Sequence, residues 1–126
     1  NHYTRFDFER ALSDGAIRVW QPDLSKTGGL TEALRIASLA AGAGIVIHPH
    51  TSVTGLNMAA SLHFLSCIDN GGYYEADVTA YNPFRDRLTR RLGALDAHGT
   101  MHAPDGVGLG IDLDAELLDA SRAIPG

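Results

Sequence analysis

Three ionisable side chains stand at nearly even intervals in this chain, each closing a short strand-forming run. Asp23 ends Arg18-Val19-Trp20-Gln21-Pro22-Asp23, His50 follows the apolar run Gly44-Ile45-Val46-Ile47 by way of His48-Pro49, and Glu75 ends Gly72-Tyr73-Tyr74-Glu75. An imidazole titrates near neutrality, so His50 is suited to moving protons. A carboxylate on the neighbouring strand end, Asp23, would accept from the His50 ring N–H, fix its tautomer and favour the imidazolium. Glu75, if kept protonated in a dry pocket, would donate to a developing oxyanion. No Ser or Cys lies in a nucleophile-elbow pattern, so the pair suits proton transfer better than covalent attack. Taken singly, His50 could be a base, an acid, a metal ligand or a polar plug, and Glu75 a solvated loop carboxylate; Asp23 shifts the balance towards chemistry.

These side chains can meet only if the elements between them repeat. Each unit is a strand followed by a helical pattern, which is the mark of consecutive βα units side by side in a parallel sheet, an α/β arrangement. The carboxyl ends of such strands form the rim where ligands sit. The strands are expected near residues 17–22, 45–48 and 73–76. The run from Ile45 is apolar throughout, as in a parallel strand covered on both faces, and Pro49 ends its pairing. A first helix is expected from the Thr4 cap, with Asp7 three residues on, to the stop at Asp14-Gly15. A second runs from Leu30 to Ala41 with Leu30, Ala33, Leu34, Ala37 and Ala41 as its apolar stripe. A third spans Leu56 to Cys67. Residues 77–99, with Asn82-Pro83 and many charges, have no clean period and are expected as loop or irregular helix. A glycine-rich turn, His102 to Gly110, and an amphipathic helix from Asp112 to Arg122 form a tail unlike the repeat.

The other candidates have plainer readings. His48 shares the strand with His50 and is expected as a structural hydrogen-bonding partner. His63 falls inside a helix, packed or at the surface, and His98 and His102 in the irregular tail are expected to be exposed. No HxxxH or HExxH spacing suggests zinc. Lys26, three residues past a strand end, is expected to have a surface role. Gly28-Gly29 opens a helix where a phosphate could sit, but no GxGxxG or Walker pattern supports it.

With 126 residues, one domain with a real core is possible, and 44% hydrophobic with 20% charged residues is ordinary for a globular protein. A net charge of −5 without clustered Lys and Arg argues against a nucleic-acid partner. The single Cys67 precludes an internal disulfide and fits a reducing, cytoplasmic setting. No apolar run is long enough to span a membrane. The abrupt beginning at Asn1, and the unpaired sheet edge that three strands would leave, suggest the C-terminal part of a longer protein.

The run Gln21-Pro22-Asp23-Leu24-Ser25-Lys26-Thr27-Gly28-Gly29-Leu30-Thr31-Glu32, then Pro49-His50, Glu75, and Pro104-Asp105-Gly106-Val107-Gly108-Leu109-Gly110 resemble the C-terminal half of the mandelate racemase branch of the enolase superfamily. The resemblance covers nearly the whole chain. It implies a TIM-like (β/α)₇β barrel whose last βα units are residues 1–99, and a segment 100–126 returning to a capping domain. It implies His50 as general base or acid, Asp23 as its orienting partner and Glu75 as hydrogen-bond donor to a substrate carboxylate becoming an enediolate. It also implies Mg²⁺ on three carboxylates of earlier strands, the last immediately before Asn1, so none of these ligands is in this sequence. The Tyr73-Tyr74-Glu75-Ala76-Asp77 segment and the loop Asn82-Pro83-Phe84-Arg85-Asp86 look most like the acid-sugar dehydratases. The expected activity is therefore Mg²⁺-dependent dehydration of a sugar acid, a small-molecule carboxylate, by a homo-oligomer. Racemisation, epimerisation or cycloisomerisation on the same fold, or a non-catalytic homologue, are the alternatives.

Overall fold

Helix α1 (Arg5–Asp14) begins at Thr4, where the Asp7 carboxylate accepts from the backbone N–H groups of Tyr3 and Thr4 at 3.0 and 3.1 Å. It ends at Gly15, whose φ of 63° places it in the left-handed region where glycine carries no Cβ penalty. In this computed structural model, which describes residues 2–90, 92 and 95–122, α1 turns Phe8 and Ala11 inward. The Phe8 ring lies 5.0 Å from the ring of Trp20 on β1 (Val19–Trp20).

Strand β1 pairs in parallel with β2 (Val46–Ile47), Val19 opposite Val46 and Trp20 opposite Ile47. The regular strands are two residues each, shorter than expected, but backbone hydrogen bonds carry the ladder onward. His48 N–H donates to the Trp20 carbonyl at 2.9 Å and His50 N–H to the Pro22 carbonyl at 3.2 Å. Trp20 and Ile47 face the core, whereas Val19 and Val46 remain about two-fifths exposed. The expectation that β2 is covered on both faces is therefore corrected. Helices cover the face of Trp20 and Ile47, while the face of Val19 and Val46 stays partly open.

The third unit is also displaced. A single parallel bridge joins Ile47 to Gly71, flanked by Ile47 N–H on the Asn70 carbonyl and Gly72 N–H on the Ile47 carbonyl. The strand expected at residues 73–76 is not formed. Its neighbour gives the reason: beyond His48 the partner strand runs into buried Pro49, which has no N–H to donate.

Helix α2 (Leu30–Gly42) packs on α1, β2 and α3 (Gly55–Leu65). Its buried face is Ala33, Ile36, Ala37 and Ala40, while Leu30, Leu34 and Ala41 of the expected stripe are exposed. Three alanines let the helix approach closely and Ile36 fills the remaining space; with Trp20, Ile47 and Phe64 it forms the centre of the core. Helix α3 is capped by Thr54, whose hydroxyl oxygen accepts from the Asn57 N–H at 3.2 Å.

Within residues 77–99 a short helix α4 (Pro83–Asp86) forms, capped by the Asn82 side chain accepting from the N–H groups of Phe84 and Arg85. Strand β3 (Thr89–Arg90) then pairs antiparallel with β4 (Asp112–Leu113) of the tail. The last helix, α5 (Ala115–Arg122), starts later than expected because residues 112 and 113 are used in that pairing. The tail is fastened to the rest by His63 Nε2, 3.2 Å from the Leu109 carbonyl, and by Asp114 N–H on the Leu88 carbonyl at 3.0 Å. Among the described residues no helix is long and apolar enough to cross a membrane.

Candidate active site

Asp23 follows β1 in a tight turn. Its backbone carbonyl accepts from the N–H groups of Lys26 and Thr27 and from the Thr27 hydroxyl, at 2.8 to 2.9 Å. That turn folds the carboxylate inward to 5% exposure. Oδ1 accepts from the Ser25 N–H at 2.9 Å, the Ser25 hydroxyl at 2.6 Å and Asn57 Nδ2 at 3.1 Å. Oδ2 lies 2.8 Å from His50 Nδ1 and 3.2 Å from Lys26 Nζ. Burial pushes this carboxyl up, but the donors outweigh it: the Ser25 hydroxyl, His50, the Ser25 N–H and Lys26 together hold Asp23 below the usual carboxylate range. Asp23 is thus an anion that only accepts. The proton of a neutral His50 must lie on Nδ1, leaving the lone pair on Nε2.

The ladder bond from His50 N–H to Pro22 explains why the pair meets. It brings the residue after Pro49 level with the residue after Pro22, so the two side chains leave adjacent strand ends together. The His50 side chain is 39% exposed, open enough to reach a ligand while one ring edge is fixed. It borders a cleft of about 430 Å³ with Asp23, Lys26, Gln21, Trp20 and His2 among its walls.

Glu75 comes to the next residue of the same loop. Its Oε2 accepts from the Thr51 N–H at 3.1 Å, and the buried Thr51 hydroxyl donates to the Glu75 carbonyl. Glu75 itself is exposed.

The remaining histidines divide. The His48 ring meets Tyr73 edge to face at 5.3 Å and lies over Gly72, so it acts through ring packing where a hydrogen-bonding role was expected. His98 and His102 are exposed, His102 with Nε2 3.1 Å from Asp96. Lys26 lies at the surface as expected, and its ammonium pairs with the buried Asp23. Ser25 and Asn57 also hold Asp23 and were not foreseen. Ser25 has a readable signal, since an Asp two residues upstream commonly accepts from a turn N–H. Asn57 reaches across from α3 and leaves no mark in the local sequence.

Residues 1–117 match a family model described as enolase C-terminal domain-like. The chain is 37% identical to the D-galactarolactone cycloisomerase of Agrobacterium fabrum, with 94% of this chain and 33% of that protein covered. It is 32% identical to the D-galactonate dehydratase of Xanthomonas euvesicatoria, covering 98% of this chain and 33% of the relative. A solved enolase superfamily member from Polaromonas sp. JS666 superposes with a TM-score of 0.85 at 48% identity, over 94% of this chain and 31% of that one. The chain therefore spans about a third of the length of the proteins it matches.

Proposed function

The chain belongs to the enolase C-terminal domain-like family and has the mixed α/β structure of the C-terminal part of that barrel fold; on this premise we propose that it supplies the proton-transfer dyad of a sugar-acid dehydratase. The relatives named D-galactonate dehydratase and D-galactarolactone cycloisomerase support the substrate class. The observation that carries the reading is the 2.8 Å contact between His50 Nδ1 and Asp23 Oδ2 on a buried, anionic carboxylate.

In this reading His50 Nε2 takes the proton from the carbon α to the substrate carboxylate, and the electron pair moves into that carboxylate to give an enediolate. The imidazolium, steadied by Asp23, returns the proton to the departing β-hydroxyl, which leaves as water. Glu75, on the same loop, would face the enediolate as a hydrogen-bond donor once the substrate shields it from water.

Mg²⁺, which the resemblance puts on carboxylates of earlier strands, would be held by residues outside this sequence and would supply positive charge to the enediolate. Among the described residues no group of three or more His, Cys, Asp or Glu side chains is placed to hold a metal ion, and Asp23 already accepts from His50, Lys26, Ser25 and Asn57.

In the full-length protein, His50→Asn is expected to lower turnover of a sugar acid such as D-galactonate by about 10²- to 10⁴-fold while its thermal unfolding stays unchanged. Near-normal turnover would refute the role. The kinship to a cycloisomerase favours one second reading, isomerisation without dehydration. Substrate that takes up solvent deuterium without releasing water would select it.

A further inference from the structure

The Asp23 carboxylate is more fully engaged than the dyad requires. Oδ1 has three donors, and Oδ2 accepts from two cation-forming groups at once, His50 Nδ1 at 2.8 Å and Lys26 Nζ at 3.2 Å. Without Lys26 the carboxylate would still be satisfied at both oxygens. Nor does the ion pair matter much for folding: with the lysine side chain 45% exposed, such a pair contributes little to stability. Its effect falls on the imidazole that shares the oxygen.

We infer that Lys26 is a positioning residue of the dyad, competing with His50 for Asp23 Oδ2 and so holding the imidazole in its neutral, proton-accepting form. The inference rests on the reading of His50 and Asp23 as the proton-transfer pair. An imidazolium facing Asp23 alone enjoys an undivided ion pair. With the Lys26 ammonium on the same oxygen, a protonated His50 meets a carboxylate already half neutralised and a second positive charge beside it. The other titratable groups at this place are few. His2 lines the same cleft from the segment before α1, and Glu75 accepts from the N–H of Thr51, the residue after His50. Neither touches Oδ2, so Lys26 is the charge that bears directly on the pair. It also arrives by a rigid route, since the turn that buries Asp23 carries Lys26 three residues on, its N–H bonded to the Asp23 carbonyl at 2.9 Å.

The test uses the full-length protein, with its histidine rings labelled with ¹⁵N and the His50 signals assigned by their loss in His50→Gln. In Lys26→Met the pH midpoint of the His50 ring signals should move upward by about half a unit to one unit, the scale of one unit charge at this range in a half-exposed site. Lys26→Arg should return it most of the way, because the charge is kept and only the shape changes. The same upward displacement should appear in the limb of the pH–rate profile that His50→Gln abolishes, measured with D-galactonate. An unmoved midpoint in Lys26→Met, or equal displacement in Lys26→Met and Lys26→Arg, overturns the inference. If the midpoint moves but His50→Gln keeps normal turnover, the coupling exists outside catalysis; the reading of the dyad has then failed, and the positioning role falls with it.

Discussion

Two aspartates, Asp23 and Asp77, are both held in the ionised form, and the way each is held differs. Asp23 is buried, and its donors come from a following turn, a neighbouring strand end and a distant helix: Ser25, Lys26, His50 and Asn57. Asp77 lies near the surface and is served by its own loop. The Thr79 hydroxyl and N–H, Asn82 Nδ2 and Arg85 surround it, and with little burial to resist them they bring its carboxyl to about 2. The first arrangement exists only when the βα units are assembled, while the second is a local device that can form with the loop alone. A side chain that does chemistry needs the first kind, because its geometry is set by the packed core. A loop that shapes specificity can be built from the second and altered without disturbing the barrel.

The most severe way to break this contrast is Asp23→Ala. Removing the carboxylate leaves Asn57 Nδ2, the Ser25 N–H and the His50 N–H facing a void, and the full-length protein should lose about 3 kcal/mol in urea unfolding. Asp77→Ala should cost about 1 kcal/mol, since its donors can turn to water. Equal losses would show that burial of Asp23 contributes nothing special.

Acid titration sharpens the comparison with a smaller effect. Both carboxyls sit lower in the folded protein than in the unfolded chain. Each therefore binds fewer protons folded than unfolded, so each stabilises the fold above the unfolded carboxylate value near 3.8, and that contribution is lost as pH falls. For Asp77 the loss should be complete only on passing about 2. In Asp77→Asn the decline of melting temperature between about pH 4 and pH 2 should flatten relative to the parent protein, the variant melting below the parent at pH 7 and meeting it near pH 2. A variant whose decline matches the parent through this window would place the Asp77 contacts outside the folding equilibrium.

How much of this was legible varies with the range of the contact. Asp23 and His50 could be paired from the sequence because strand ends recur at a steady interval, and a parallel ladder then places them side by side. Donors within the turn were half legible. Ser25 follows the usual preference of a turn N–H for an upstream Asp, whereas Lys26 lies at the surface as expected and its pairing with Asp23 follows only from the turn that brings its ammonium back to the carboxylate. Asn57 was beyond reach, since nothing near it marks which distant carboxylate it will meet. The α2 stripe failed for another reason: two overlapping faces were available, and the alanine-rich one won because close approach to α1 and β2 outweighed burying Leu30 and Leu34. The third strand failed because Pro49, read only as the end of β2, also removed the pairing edge that residues 73–76 needed.

The smallest effect tests that last point. At Gly72 an added Cβ would lie 2.1 Å from His48 Nε2 and 2.9 Å from Val46 Cγ1, so the His48 ring occupies the space a side chain would take. Gly72→Ala must push that ring aside and disturb its edge-on contact with Tyr73, at a cost of about 1 kcal/mol because His48 is only partly buried and can move. Removing the obstacle as well, in Gly72→Ala with His48→Ala, should recover most of the loss relative to His48→Ala alone, read as the coupling in a double-mutant cycle. The single bridge at Gly71 would then be set by the His48 ring standing over Gly72 together with the missing N–H of Pro49. A cycle with no coupling would leave Pro49 as the sole cause, and would predict that the loop from residue 73 onward can be reshaped without regard to His48.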